Sequence, residues 1–140
     1  MKLSNPSVVI TRKLPKMVED RMLELFVNVN QNVDDTPYSR DQLQEALESC
    51  DILVPTLTDE LDLELLSNPK NKVKLIANFG NGTDHIDIQS ARNAGIVVTN
   101  TPNVLTNDTA DIAMALIISI PRRLVEGTRR VDKDQFSEWK

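Results

Sequence analysis

With 140 residues, 40% of them apolar and 26% charged, the chain suits one ordinary domain with its own core and is no disordered tail. The net charge of −5 argues against nucleic acid or an acidic membrane surface as a partner. A lone cysteine, Cys50, and a lone histidine, His85, exclude an internal disulfide and a zinc site of clustered ligands.

Residues 7–10 read as a first strand between Pro6 and the polar Thr11-Arg12. After Pro15, Met17, Val18, Met22, Leu23 and Phe26 recur at helical spacing. Residues 27–30 form a weak second strand, followed by a polar turn over 31–38. Ser39 with Gln42 three positions on is a capping box, and its helix carries Leu43, Ala46 and Leu47 on one face. Cys50 closes that helix and is expected to be a small buried apolar residue. Residues 52–54 are a third strand ended by Pro55. Thr58 or Asp59 is expected to cap a short helix through Leu61, Leu65 and Leu66, broken at Asn68-Pro69. Residues 73–77 make a fourth strand. Asp87 caps a helix over Ile88, Ala91 and Ala94, with Gly95 just past its end, and residues 96–99 are a fifth strand.

Strands separated by helices of this size imply βαβ units. The expected fold is α/β: a flavodoxin-like five-stranded parallel sheet with helices on both faces, complete within residues 1–101. Residues 102–140 do not belong to that sheet. A turn-rich connector leads into one long helix from about Leu105 to Glu126 and Gly127. This helix is apolar nearly all round between Ile112 and Ile120, so it expects neighbours on more than one side. Pro121 should kink it, and Arg122-Arg123 and Arg129-Arg130 read as its solvated face. That apolar run is also the longest, and it is too short to span a membrane. The opening residues lack a signal-peptide core, so a cytoplasmic protein is expected.

The chemistry concentrates in residues 78–87, Asn-Phe-Gly-Asn-Gly-Thr-Asp-His-Ile-Asp. Two glycines at the carboxyl end of a strand let backbone N–H groups face outward and cradle an anion, at the sheet edge where ligands bind. An ordinary tight loop is the competing reading, and the residues alone do not separate the two. The pair does not continue into a dinucleotide fingerprint, because His85 stands where the third glycine would be. His85 has Asp84 and Asp87 beside it, yet neighbours on a loop seldom converge, so a polar or capping histidine is the expectation. No metal site is expected.

Several motifs in order then resemble one family. They are Asn78-Phe79-Gly80-x-Gly82-x-Asp84-His85-Ile86-Asp87, Ala91-x-x-Ala94-Gly95-Ile96-x-Val98, Asn100-Thr101-Pro102-x-Val104-Leu105-Thr106-x-x-Thr109-Ala110-Asp111, and Arg122-Arg123. The series, densest over residues 52–139, is similar to the D-isomer-specific 2-hydroxyacid dehydrogenases, nearest to glyoxylate or hydroxypyruvate reductase-like members. Phe136-x-x-Trp139 resembles the segment just before that family's dinucleotide-binding domain.

The resemblance implies an oxidoreductase moving a hydride between NAD or NADP and a small 2-oxo or 2-hydroxy acid, homodimeric at full length. It places the catalytic arginine, glutamate and histidine, with the nucleotide-binding Rossmann domain, beyond Lys140. No catalytic residue is therefore expected in this chain, and the 140 residues alone are expected to be inert. By resemblance, the backbone N–H groups of Asn81 and Gly82 bind the substrate carboxylate, and the side chain at Asn81 also approaches the cofactor. Leu57 resembles an apolar wall of the substrate pocket, where the residues alone equally allow a leucine covering the sheet end. Thr109 resembles a threonine facing the nicotinamide, and without the resemblance is an ordinary helix-surface residue. A non-catalytic binding or dimerisation module, pairing through the long helix, is the alternative.

Overall fold

The computed structural model describes residues 5–133, divided in sequence between Pro102 and Asn103 into two compact units. The first contains β1 (Ser7–Ile10), α1 (Lys16–Leu25), β2 (Asn28–Gln31), α2 (Arg40–Ser49), β3 (Ile52–Val54), α3 (Leu63–Leu66), β4 (Leu75–Ala77), α4 (Ile88–Asn93) and β5 (Val97–Thr99). The five strands pair in parallel in the order β2-β1-β3-β4-β5, the expected α/β sheet.

Register and period-two alternation decide what each face buries. Val9 lies opposite Leu53, Leu53 opposite Ile76, and Ile76 opposite Val98. This row packs with Leu43, Ala46 and Leu47 of α2, Leu65 and Leu66 of α3, and Ala91 of α4. Val8, Ile10 and Val54 point the other way, onto Leu14 and the partly buried Val18 and Met22 of α1, with Phe26 beyond it. Asp51 pins the start of β1 to β3, accepting from the Ser7 N–H and Oγ, each at 2.9 Å.

Local signals place several helices. The Ser39–Gln42 capping box forms in full, Asp62 caps α3 by accepting from the Leu65 N–H, and Asp87 caps α4 by accepting from the Ser90 N–H. Gly95 follows α4 with φ +73°, a left-handed turn that a glycine adopts without a Cβ penalty.

Four expectations need correction. Neither Thr58 nor Asp59 caps α3. Asp59 is buried, its Oδ2 accepting from Thr11 Oγ1 at 2.5 Å and from the Thr56 N–H at 2.8 Å, so a partner 48 residues earlier takes the carboxylate. Leu61 is therefore not helical and instead bridges in parallel to Ile86. β2 starts at Asn28, leaving Val27 exposed, and β4 starts at Leu75, because the Val73 N–H is drawn aside to the Leu47 carbonyl.

The fourth correction concerns the second unit, where the long helix is two: α5 (Thr106–Ser119) and α6 (Leu124–Asp132). Pro121 has no N–H for a helical bond, and Arg123 adopts φ +53°, which breaks the helix before α6 starts. Arg123 and Arg130 both pair with Glu126. No residue of α5 is buried; Ile112, Met114, Leu116, Ile117, Ile118 and Ile120 are all exposed. Phe136 and Trp139 lie outside the described residues.

Candidate functional site

In an open parallel sheet, ligands bind beyond the carboxyl ends of the strands near the point where strand order reverses. Here the chain runs outward from β1 to β2, then returns to β3 on the other side of β1. The loops leaving β1, β3 and β4 converge on that edge.

The loop after β4 is tied down first by its own backbone. The Asn78 N–H donates to the Thr99 carbonyl and the Phe79 N–H to the Pro55 carbonyl, both at 2.9 Å. Then three consecutive carbonyls are engaged by the body of the unit. Gly80 O accepts from the Thr101 N–H at 3.0 Å, Asn81 O from Asn100 Nδ2 at 2.7 Å, and Gly82 O from Asn78 Nδ2 at 2.9 Å. In a trans peptide, the N–H points opposite to the preceding carbonyl, and no peptide here is cis. The N–H groups of Asn81, Gly82 and Thr83 are thus turned away from those donors. Those of Gly82 and Thr83 donate to none of the described residues.

The two glycines serve different needs, and neither uses a positive φ, contrary to the conformational freedom the sequence suggests. A Cβ on Gly80 would stand 3.3 Å from Asn78 Nδ2, so that amide would have to give by a few tenths of an ångström to admit one. A Cβ on Gly82 would meet nothing within 4 Å. The fold alone gives no reason for a glycine at that position.

Leu57 lies on the loop after β3, 73% exposed, so it does not cover the sheet end. Asp59 holds this loop from beneath, and Arg12 Nη1 donates to Thr58 Oγ1 at 3.0 Å beside it. Arg12 also pairs with Asp35 at 2.9 Å, and its guanidinium holds the Asp35 carboxyl below the usual range. Oδ1 of Asp59 is buried with no partner among the described residues. His85 neither caps a helix nor pairs with Asp84 or Asp87; its Nε2 lies 3.1 Å from Asn78 Oδ1. Asp87 spends its carboxylate on α4, where the Ser90 N–H lowers its pKa. Thr109 belongs to the second unit, exposed on the first turns of α5 with its N–H on the Leu105 carbonyl.

Asn81 and Gly82 therefore share one loop, Leu57 sits on a neighbouring loop of the same unit, and Thr109 is carried by the other unit. Sequence reasoning gives no site role to Thr11, Asp59 and Asn78, buried polar residues that follow strands β1, β3 and β4. Their signal is weak: a threonine, an aspartate and an asparagine close behind apolar runs. Among the described residues, no group of three or more metal-ligating side chains exists, and no helix is long and apolar enough to cross a membrane.

The sequence model for the D-isomer specific 2-hydroxyacid dehydrogenase catalytic domain matches residues 8–136. A glyoxylate reductase of Thermococcus litoralis is 42% identical over 135 residues, covering 96% of this chain and 39% of that protein. Among solved structures, the TT0316 protein of Thermus thermophilus superposes with a TM-score of 0.78 at 35% identity, over 96% of this chain and 42% of that one. The D-lactate dehydrogenase of Aquifex aeolicus, solved with NAD and lactic acid, gives 0.72 at 25% identity, over 96% of this chain and 39% of that one. The chain thus spans about two fifths of the length of the relatives it matches. The strand order, the looped edge beyond β4 and a sequence match over most of its length make this chain a member of the D-isomer-specific 2-hydroxyacid dehydrogenases, an oxidoreductase family.

Proposed function

We propose that this chain is the substrate-holding part of an NAD(P)H-dependent reductase of small 2-oxo acids such as glyoxylate or hydroxypyruvate. The observation that carries this is a row of outward peptide N–H groups at Gly82 and Thr83, with a glycine where the fold requires none. Such a row takes a carboxylate through charge-assisted hydrogen bonds to main chain. Leaving Gly82 bare allows the carboxylate to approach the backbone closely.

In this reading, the N–H groups of Asn81 and Gly82 hold the carboxylate, and Leu57 forms an apolar wall of the substrate pocket. The side chain at Asn81 also approaches the cofactor, and Thr109, carried by the other unit, resembles the family's threonine at the nicotinamide end. The described residues do not fit the rest of a dinucleotide: α4 begins only at Ile88, well after Gly82, and has 6 residues, so no helix N-terminus follows the glycines to take a pyrophosphate. The cofactor supplies the hydride when bound, and the work of this chain is to hold and orient the acid. In this reading the 140 residues alone turn over no substrate.

Calorimetric titration with oxalate, a non-reducible two-carbon acid, tests the binding claim at constant ionic strength. Saturable binding that acetate and phosphate do not match is expected; equal binding of all three anions contradicts it. Incubation with glyoxylate and NADH or NADPH should give no loss of reduced nicotinamide absorbance, and turnover by the isolated chain refutes inertness.

A further inference from the structure

We infer that Asn78 is a positioning residue for the carboxylate loop, with His85 bracing the far side of its amide; this rests on the carboxylate reading above. Asn78 is only 2% exposed, at the end of β4, its N–H already tied to Thr99. Its Nδ2 donates to Gly82 O at 2.9 Å and more weakly to Gly80 O at 3.4 Å. Those two carbonyls belong to the peptides on either side of the Asn81–Gly82 peptide. Holding both from one buried amide stops the intervening segment from rolling, and keeps the Thr83 N–H outward.

The same contacts settle the amide's orientation. A reversed side chain would set Oδ1 against two carbonyl oxygens, so Nδ2 faces the loop and Oδ1 faces the histidine ring. An amide oxygen only accepts, so His85 Nε2 carries a hydrogen. This is met by the neutral Nε2–H tautomer and by the imidazolium alike, and gaining a proton on Nδ1 does not break the bond. The Nε2–H of His85 is thereby a donor locked onto Asn78. Gly80 completes the arrangement, since any Cβ there would crowd Nδ2 at 3.3 Å.

Isotope-labelled chain, wild type and variants, would be compared by amide relaxation without ligand and by oxalate titration. Asn78→Asp keeps shape but sets a carboxylate oxygen against the loop carbonyls. His85→Leu removes only the outer donor from a half-buried site, which keeps the inference testable should the buried substitution unfold the chain. Expected are greater mobility at Gly82 and Thr83 in both, with oxalate affinity reduced about tenfold, the loss for a misplaced charge-assisted bond. His85→Gln, which retains an N–H donor, should restore both. Wild-type mobility and affinity in folded His85→Leu overturn the inference while leaving the carboxylate reading standing. Absence of any oxalate response in the wild type removes the carboxylate reading instead. In that case, unchanged relaxation in His85→Leu overturns the positioning role, and raised mobility keeps it.

Discussion

Two glycines with one residue between them make opposite predictions. Gly80→Ala drives a methyl group toward Asn78 and should lower stability by about 1 kcal/mol or more, read from a denaturant midpoint. Gly82→Ala meets nothing in the fold, so stability should hold or rise by about 0.5 kcal/mol as the unfolded chain loses freedom. Its oxalate binding should nevertheless fall; retained affinity would mean that the bare backbone serves no ligand. Cys50 is the third case. Burial pushes its thiol up to about 11, so iodoacetamide at neutral pH should leave it unmodified until denaturant is added. Its burial is legible in the sequence, where it joins a helix-like segment to a strand. The Asn78–His85 pair is not, because which atoms of an asparagine meet a histidine seven positions away is a tertiary fact.

Elements with local causes are the legible ones. The Ser39–Gln42 box needs nothing beyond three residues, and it forms as read. Ser39→Ala should therefore cost about 1 kcal/mol in thermal or denaturant unfolding. A loss near zero would place the helix start under the control of packing by Leu43 and Leu47 instead. β3 is legible to the residue, since Asp51 and Pro55 bound an apolar triplet. The start of α3 is not, because the choice between Asp59 and Asp62 as cap is made by Thr11, far away in sequence. The long helix misleads for a different reason. A proline predicts a kink or a break equally well, and only the left-handed Arg123 selects the break.

At the scale of the whole molecule, acid stability follows from aspartates whose bonds favour the charged form. The pKa of Asp35 is lowered by Arg12, of Asp51 by the Ser7 N–H, of Asp62 by Arg40 and of Asp87 by the Ser90 N–H, each from a usual 3.8. A depressed folded value adds stability that is present above the unfolded pKa and is lost as pH falls through the folded one. The melting temperature should be flat above about pH 5 and fall steadily below about pH 4, and a decline starting near neutrality would point elsewhere. The exposed apolar run of α5 should make the purified chain self-associate with rising concentration, by sedimentation. The sheet order and family are legible because strands and motifs recur in order along the chain. The outward N–H row is not, because it depends on three carbonyls finding donors in Asn78, Asn100 and Thr101. Mapping oxalate-induced amide shifts residue by residue in the unmodified chain tests that row most directly. Saturable shifts confined to residues 81–83 and the Leu57 loop are predicted, and saturation at the α6 arginines, or uniform drift across the chain, would contradict the account.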